Sequence, residues 1–261
     1  MLTSVVQSIR TGRHYPELQG TRVLVSGISS ERGIDIARGF AEVGSRLVVQ
    51  LTPHAAAEDD QRQTTLLQVL ANTATEVQAL HAPLDTSDAA VRFAQRAVQA
   101  YGGLDVVVNI IAPQPDCIPH SATVDDIEDA VAQTLRSACM ITRIAANRMS
   151  LTWTEGLILN AVLVPAPRTM ADAAFTSMLS QTLAHMTRAE AASWASKGIR
   201  INAVKPHGLS DCGPVRGKST SASCRAGEAD IAALALHLAS KRGHTLTGHI
   251  FDAEGIATRR C

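Results

Sequence analysis

Aromatic residues are scarce in this chain, with 2 Trp, 2 Tyr and 4 Phe among 261 residues, so Tyr15 and Tyr101 are its only phenols. No sign of charge dominates either, since 24 Lys and Arg stand against 24 Asp and Glu. That balance provides no footprint for nucleic acid or for an anionic membrane surface, both of which call for clustered cations. The cysteines (Cys117, Cys139, Cys212, Cys224, Cys261) are odd in number, widely spaced and without a C-x-x-C pair. Neither a disulfide framework nor a zinc site is therefore expected, and the thiols read as free in a reducing cytoplasm. No run approaches the roughly 18 apolar residues of a membrane span, and Met1 to Arg10 lacks the charge order of a signal peptide. The expectation is a soluble, cytoplasmic protein with no membrane and no nucleic-acid partner.

What the chain does have is enough apolar material to fold, at 46% hydrophobic and 18% charged residues. Short Val-, Ile- and Leu-rich runs alternate with longer stretches of helical period, the pattern of repeated βαβ units around a parallel sheet buried on both faces. Strands are expected at Arg22–Ser26, Arg46–Leu51, Val77–Ala82, Leu104–Ile111, Gly156–Leu163, Arg200–Lys205 and His249–Asp252. Helical spacing joins Ile34, Ala37 and Ala41; Val91, Ala94 and Val98; and Ile127, Val131, Leu135 and Ile141. The longest helix is expected from about Asp172 to Ser196, whereas Thr52 to Gln63 reads as a loop plus a helix start, and His207 to Gly227 as a mobile loop. The expected fold is a single α/β domain, a Rossmann-like doubly wound seven-stranded parallel sheet over residues 20–261, preceded by an extension over residues 1–19.

Directly after the first strand comes Ser26-Gly27-Ile28-Ser29-Ser30-Glu31-Arg32-Gly33-Ile34, leading into a helix. Glycines there let a dinucleotide pyrophosphate approach the backbone at the positive end of a helix, where N–H groups lack internal partners. By itself such a glycine pair also suits an ordinary tight turn. Other segments extend the pattern: Leu84-Asp85-Thr86, Asn109-Ile110-Ile111-Ala112, Gly198-Ile199-Arg200-Ile201-Asn202-Ala203-Val204, and Thr247-Gly248-His249 through Glu254-Gly255. In their order and spacing, from Gly20 to Gly255, they resemble the short-chain dehydrogenase/reductase family, and within it the classical type that includes 3-oxoacyl carrier-protein reductases. The resemblance implies NADP or NAD as cofactor, no metal, and cofactor contacts from Gly27, Ser29, Ser30, Arg32, Gly33, Asp85, Thr86 and Asn109.

The chain departs from that family at several of its working positions. Glu31 stands where the middle glycine belongs, bringing a carboxylate near a phosphate and a Cβ that disfavours positive φ. Val49-Gln50-Leu51-Thr52 offers neither an acid for ribose hydroxyls nor an arginine for a 2′-phosphate, so NAD and NADP are not distinguished. The family's chemistry uses a Tyr with a Lys four residues later on one helix face, an upstream Ser and an Asn. The spacing from Gly198 puts these four on Thr176, Ser180, Leu163 and Thr134. An aliphatic hydroxyl ionises several units above the phenol's value of about 10, so Thr176 is a poor proton carrier at neutral pH.

Replacement groups are few. Tyr101 precedes a strand and so lies at the end of the sheet opposite the ligand crevice, and Tyr15 shares the problem. His185 on the long helix and Asp172 at its start are candidate substitute acids or bases, though His185 is expected to face another subunit or solvent; His120 and His207 border the crevice but also suit ordinary polar surface. Three functions stay open. The leading expectation is a non-catalytic structural or regulatory subunit of a homo-oligomer, or of a hetero-oligomer with an active paralogue, using apolar faces of the long helix around Ala171, Met178, Leu183 and Ala191. The alternatives are an NAD(P)-dependent oxidoreductase with an unorthodox acid and a sensor of a dinucleotide or acyl ligand.

Overall fold

The computed structural model describes residues 15–29, 32–52, 57–113, 118, 122–164, 167–206 and 228–252. Seven strands form one sheet: β1 (Arg22–Ile28), β2 (Arg46–Leu51), β3 (Glu76–His81), β4 (Val106–Ile111), β5 (Leu157–Val162), β6 (Arg200–Lys205) and β7 (Ile250–Asp252). Their order is β3-β2-β1-β4-β5-β6-β7 and every pairing is parallel. Helices α1 (Ile34–Glu42), α2 (Ala57–Ala71), α3 (Ser87–Ala97), α4 (Val124–Leu151), α5 (Met170–Trp194) and α6 (Glu228–Ala239) alternate with the strands. The expected doubly wound, seven-stranded architecture is the one found.

Strand periodicity sorts the core into two faces. Val23, Val25, Leu47, Val49, Val106, Val108, Leu157 and Leu159 pack with Phe40 of α1, Leu70 of α2 and Ile231 and Leu236 of α6. Leu24, Val48, Val107 and Ile158, their neighbours in sequence, pack the other way against Phe93 of α3 and Ile141 and Met149 of α4. Toward the C-terminal ends of β4 and β5 a further cluster joins Ile111 and Val162 to Leu135 of α4 and Phe175, Leu179 and Leu183 of α5. Two-sided burial is why these strands read as unbroken apolar runs in the sequence.

Small differences from the expected boundaries have local causes. β1 runs two residues further, to Ile28, through a register shift against β2 that Gly27 permits at φ +80°. β4 starts at Val106 because Asp105 is engaged with Arg22, accepting from its backbone N–H and its Nε, both at 2.9 Å. Within the polar stretch Thr52 to Gln63 the helix begins at Ala57. Of the N-terminal segment, Pro16–Leu18 forms a 3-10 turn and Leu18 is buried in the core, so this part packs on the domain. The expected loop over residues 207–227 lies outside the described residues.

From β1 the chain winds outward to β2 and β3, then returns to β4 on the other side of β1. The reversal opens a crevice at the C-terminal ends of β1 and β4, where open parallel sheets bind ligands. Ser26-Gly27 and Asn109-Ile110 border it.

Candidate functional site

The turn after β1 is shaped by Ile110. At Gly27 a Cβ would stand 2.0 Å from the Ile110 carbonyl oxygen, and at Gly33, φ +86°, it would stand 2.4 Å from Ile110 Cδ1. Both glycines are therefore required by packing and backbone conformation together. The Ser29 N–H donates to the Arg32 carbonyl at 3.0 Å; Ser30 and Glu31 lie outside the described residues. Arg32 is half-buried at the start of α1.

Two side chains whose contacts the sequence does not foretell meet this turn. Gln50, fully buried at the end of β2, accepts the Gly27 N–H through Oε1 at 2.7 Å and donates through Nε2 to the Ala82 carbonyl, also at 2.7 Å. It ties the ends of β1, β2 and β3 together; a lone polar residue in the apolar run Leu47-Val48-Val49-Gln50-Leu51 was the available signal. Glu228, the first residue of α6, accepts the Asp35 N–H at 2.7 Å in the first turn of α1. Burial pushes its carboxyl above the usual range, while the amides of Gly33, Asp35 and Ile36 pull it back. No local pattern predicts a contact spanning 193 positions.

Asn109 is turned inward. Its Oδ1 accepts from Ser26 Oγ at 2.8 Å, and its Nδ2 donates to Asn160 Oδ1 at 2.8 Å and Thr142 Oγ1 at 3.1 Å. All four residues are buried, so Asn109 holds β1, β4, β5 and α4 in register. Asn160 Nδ2 and Thr187 Oγ1 have no hydrogen-bond partner, and both line a tight cleft between α4 and α5 beside the half-buried Cys139 thiol, whose pKa burial raises. Asp85 is exposed past β3, and Thr86 caps α3 by accepting the Ala89 N–H at 3.2 Å.

The positions expected from spacing to match the family's catalytic set are equally engaged. Thr176 Oγ1 donates to the Asp172 carbonyl at 2.8 Å, Ser180 Oγ to the Thr176 carbonyl at 2.7 Å and Thr134 Oγ1 to the Ala130 carbonyl at 2.7 Å, each one turn back in its own helix. Thr176 is buried on α5. Leu163 follows β5, its N–H donating to the Ile111 carbonyl at 2.9 Å, and its side chain is apolar. Asp172 closes a capping box with Thr169 at the start of α5.

The other candidates lie apart. Tyr101 donates to the Leu47 carbonyl at 3.3 Å in the turn before β4, and burial, with Glu76 adding to it, pushes its pKa up to about 12. His185 is exposed on α5; His120 and His207 lie outside the described residues. Among the described residues no group of His, Cys, Asp or Glu could hold a metal, and no helix is long and apolar enough to cross a membrane. Cys139 is a free thiol, and the other four cysteines lie outside the described residues.

Comparison with known proteins decides the family. The family model described as Enoyl-(Acyl carrier protein) reductase matches residues 27–255, nearly the whole chain. The chain belongs to the short-chain dehydrogenase/reductase family. Among curated relatives, a probable 2,4-dienoyl-CoA reductase of Bacillus subtilis is 25% identical over 70% of each chain. A galactitol 2-dehydrogenase of Cereibacter sphaeroides is 28% identical over 91% of this chain and 95% of that protein. Solved structures share the fold. A doubly substituted Serratia marcescens short-chain dehydrogenase/reductase superposes with a TM-score of 0.70 at 22% identity, covering 92% of this chain and 99% of that one. An enoyl-(acyl-carrier-protein) reductase from Anaplasma phagocytophilum, in complex with NAD, gives 0.69 at 15% identity, covering 94% and 97%. Members of the short-chain dehydrogenase/reductase family usually bind NAD or NADP. In this member Glu228 accepts the Asp35 N–H in the first turn of α1.

Proposed function

We propose that this short-chain dehydrogenase/reductase is a non-catalytic member that works as a structural or regulatory subunit, in a homo-oligomer or beside an active paralogue. The carrying observation is that the hydroxyls at Thr134, Thr176 and Ser180 all donate to carbonyls of their own helices, while Leu163 supplies no polar atom. A reductase must deliver a proton to the carbonyl oxygen as hydride reaches its carbon. A group suited to that task has a pKa near the working pH, with hydrogen-bond reach to the substrate. A threonine hydroxyl is several units too weak an acid, and a leucine cannot orient a carbonyl. Tyr101 does not substitute, since it sits at the far end of β4 with its phenol held protonated.

The oligomeric role is supported by the small and apolar residues of α5, including Ala171, Met178 and Met186, that are only half-buried in one chain. The test is NADPH and NADH oxidation by the purified protein with carbonyl and enoyl thioester substrates. The expected result is no turnover above the protein-free rate; wild-type turnover overturns the reading. A second reading, an NAD(P)-dependent oxidoreductase using another acid, is favoured by the relatives' names, which are those of reductases and dehydrogenases. It predicts turnover that an alanine at His120, His185 or His207 abolishes.

A further inference from the structure

The contact between Glu228 and the first turn of α1 has a consequence for ligand binding. A helix presents a small number of unpaired N–H groups at its start, and their joint positive potential attracts an anion. In open α/β sheets with a glycine-rich first turn, that anion is a dinucleotide pyrophosphate. Here Glu228 Oε1 takes the Asp35 N–H at 2.7 Å, and the carboxylate also interacts with the amides of Gly33 and Ile36. It arrives from α6, which packs closely on α1: a Cβ at Gly39 would stand 3.5 Å from Leu236 and 3.6 Å from Ala232. The packing of α6 on α1 thus holds the carboxylate at the helix end, and a free ligand competes there with an intramolecular group.

We propose that Glu228 is a built-in occupant of the α1 anion site, an internal carboxylate that takes the place of the dinucleotide pyrophosphate and keeps the chain free of nucleotide. Gln50 reinforces it from the other side of the turn by taking the Gly27 N–H. A pyrophosphate entering the turn has to displace Glu228 or lie beside it, like charge against like, in a half-buried setting where screening is weak. The inference deepens the non-catalytic reading but stands on different residues. A chain that binds dinucleotide yet turns nothing over refutes this proposal and leaves that reading intact.

The experiment titrates the full chain with NADPH and with NADH, by nicotinamide fluorescence and calorimetry, for the wild type, Glu228→Gln and Glu228→Ala. Glu228→Gln keeps the shape and one acceptor oxygen, so it folds as the wild type does and removes the charge alone. The wild type is expected to bind more weakly than about 1 mM. Both variants are expected to gain at least about tenfold, Glu228→Ala more than Glu228→Gln, because it frees the amides as well. Micromolar binding by the wild type overturns the proposal, and so does unchanged affinity in the folded Glu228→Gln protein. A Glu31→Gly variant separates the other carboxylate of the turn: a gain there, with none at Glu228, overturns the proposal too.

Discussion

Replacing Asn109 tests whether the polar cluster under the crevice holds the sheet together or serves a ligand. Asn109→Ala removes three hydrogen bonds at once: the one accepted from Ser26 and those donated to Asn160 and Thr142. Ser26 is buried and loses the only acceptor found for its hydroxyl, whereas Thr142 and Asn160 keep each other at 3.3 Å. A buried polar group left unpaired costs about 1–3 kcal/mol, and the vacated side-chain volume adds to it, so the expected loss is about 3 kcal/mol. In a domain of this size that lowers the melting temperature by about 6–12 °C. Urea titration checks it, with a lower midpoint and an unchanged slope. Asn109→Asp sharpens the test. It keeps the acceptor for Ser26 but turns a second oxygen toward Asn160 Oδ1, so the buried carboxyl favours its protonated form and its folded pKa rises above the ordinary value of about 4. A raised folded pKa means stability is retained at low pH and lost as pH rises toward the folded pKa, so this variant's deficit widens between about pH 4 and pH 7. A loss below about 0.5 kcal/mol for Asn109→Ala, or weakened NADPH binding with stability unchanged, refutes the reasoning.

Gly27→Ala is expected to cost at least about 3 kcal/mol in urea unfolding, because φ +80° and a Cβ 2.0 Å from the Ile110 carbonyl compound each other. Gly20→Ala, at φ +74° with nothing within 4 Å, is expected to lose only about 1 kcal/mol in the same assay. In an alkaline titration followed by phenolate absorbance, Tyr101 is expected to ionise near 12, and Tyr101→Phe should remove that phase. Since the folded pKa is the raised one, stability should fall as pH climbs from about 10 through about 12. Thr169→Ala breaks the α5 capping box and is expected to cost about 1 kcal/mol, read as faster amide exchange in the first turn of α5.

The sheet was legible because a parallel strand buried on both faces writes its burial into consecutive residues: Val106 to Ile111 and Leu157 to Val162 are buried at every position. Helix ends were legible where a Thr and an acid sit three apart, as at Thr169 and Asp172. The crevice was legible only in outline. Gly27 and Gly33 were expected to make room for a phosphate, and in the fold they make room for Ile110. Asn109 was expected to face a cofactor, and it faces Ser26 and Asn160 because β1 and β5 flank β4 at that level. Partner identity across a sheet depends on strand order, which spacing along one chain does not encode.

The same limit hid Gln50 and Glu228, and these two residues bear on function most. A site that awaits a ligand leaves strong donors for it, since a buried donor without a partner is costly and is tolerated where something arrives to pair it. Along this crevice several donors are matched from within: the Gly27 N–H by Gln50, the Asp35 N–H by Glu228, the Asn109 amide by Asn160 and Thr142, and the hydroxyls of Thr134, Thr176 and Ser180 by helix carbonyls, whereas the buried Asn160 Nδ2 beneath them has no partner. Loss of the proton-carrying residues alone would fit an enzyme that had moved its acid elsewhere. Internal satisfaction of the phosphate donors alone would fit an enzyme that opens on binding. The two changes involve different residues on different elements, and together they support the proposed non-catalytic reading more than either does alone.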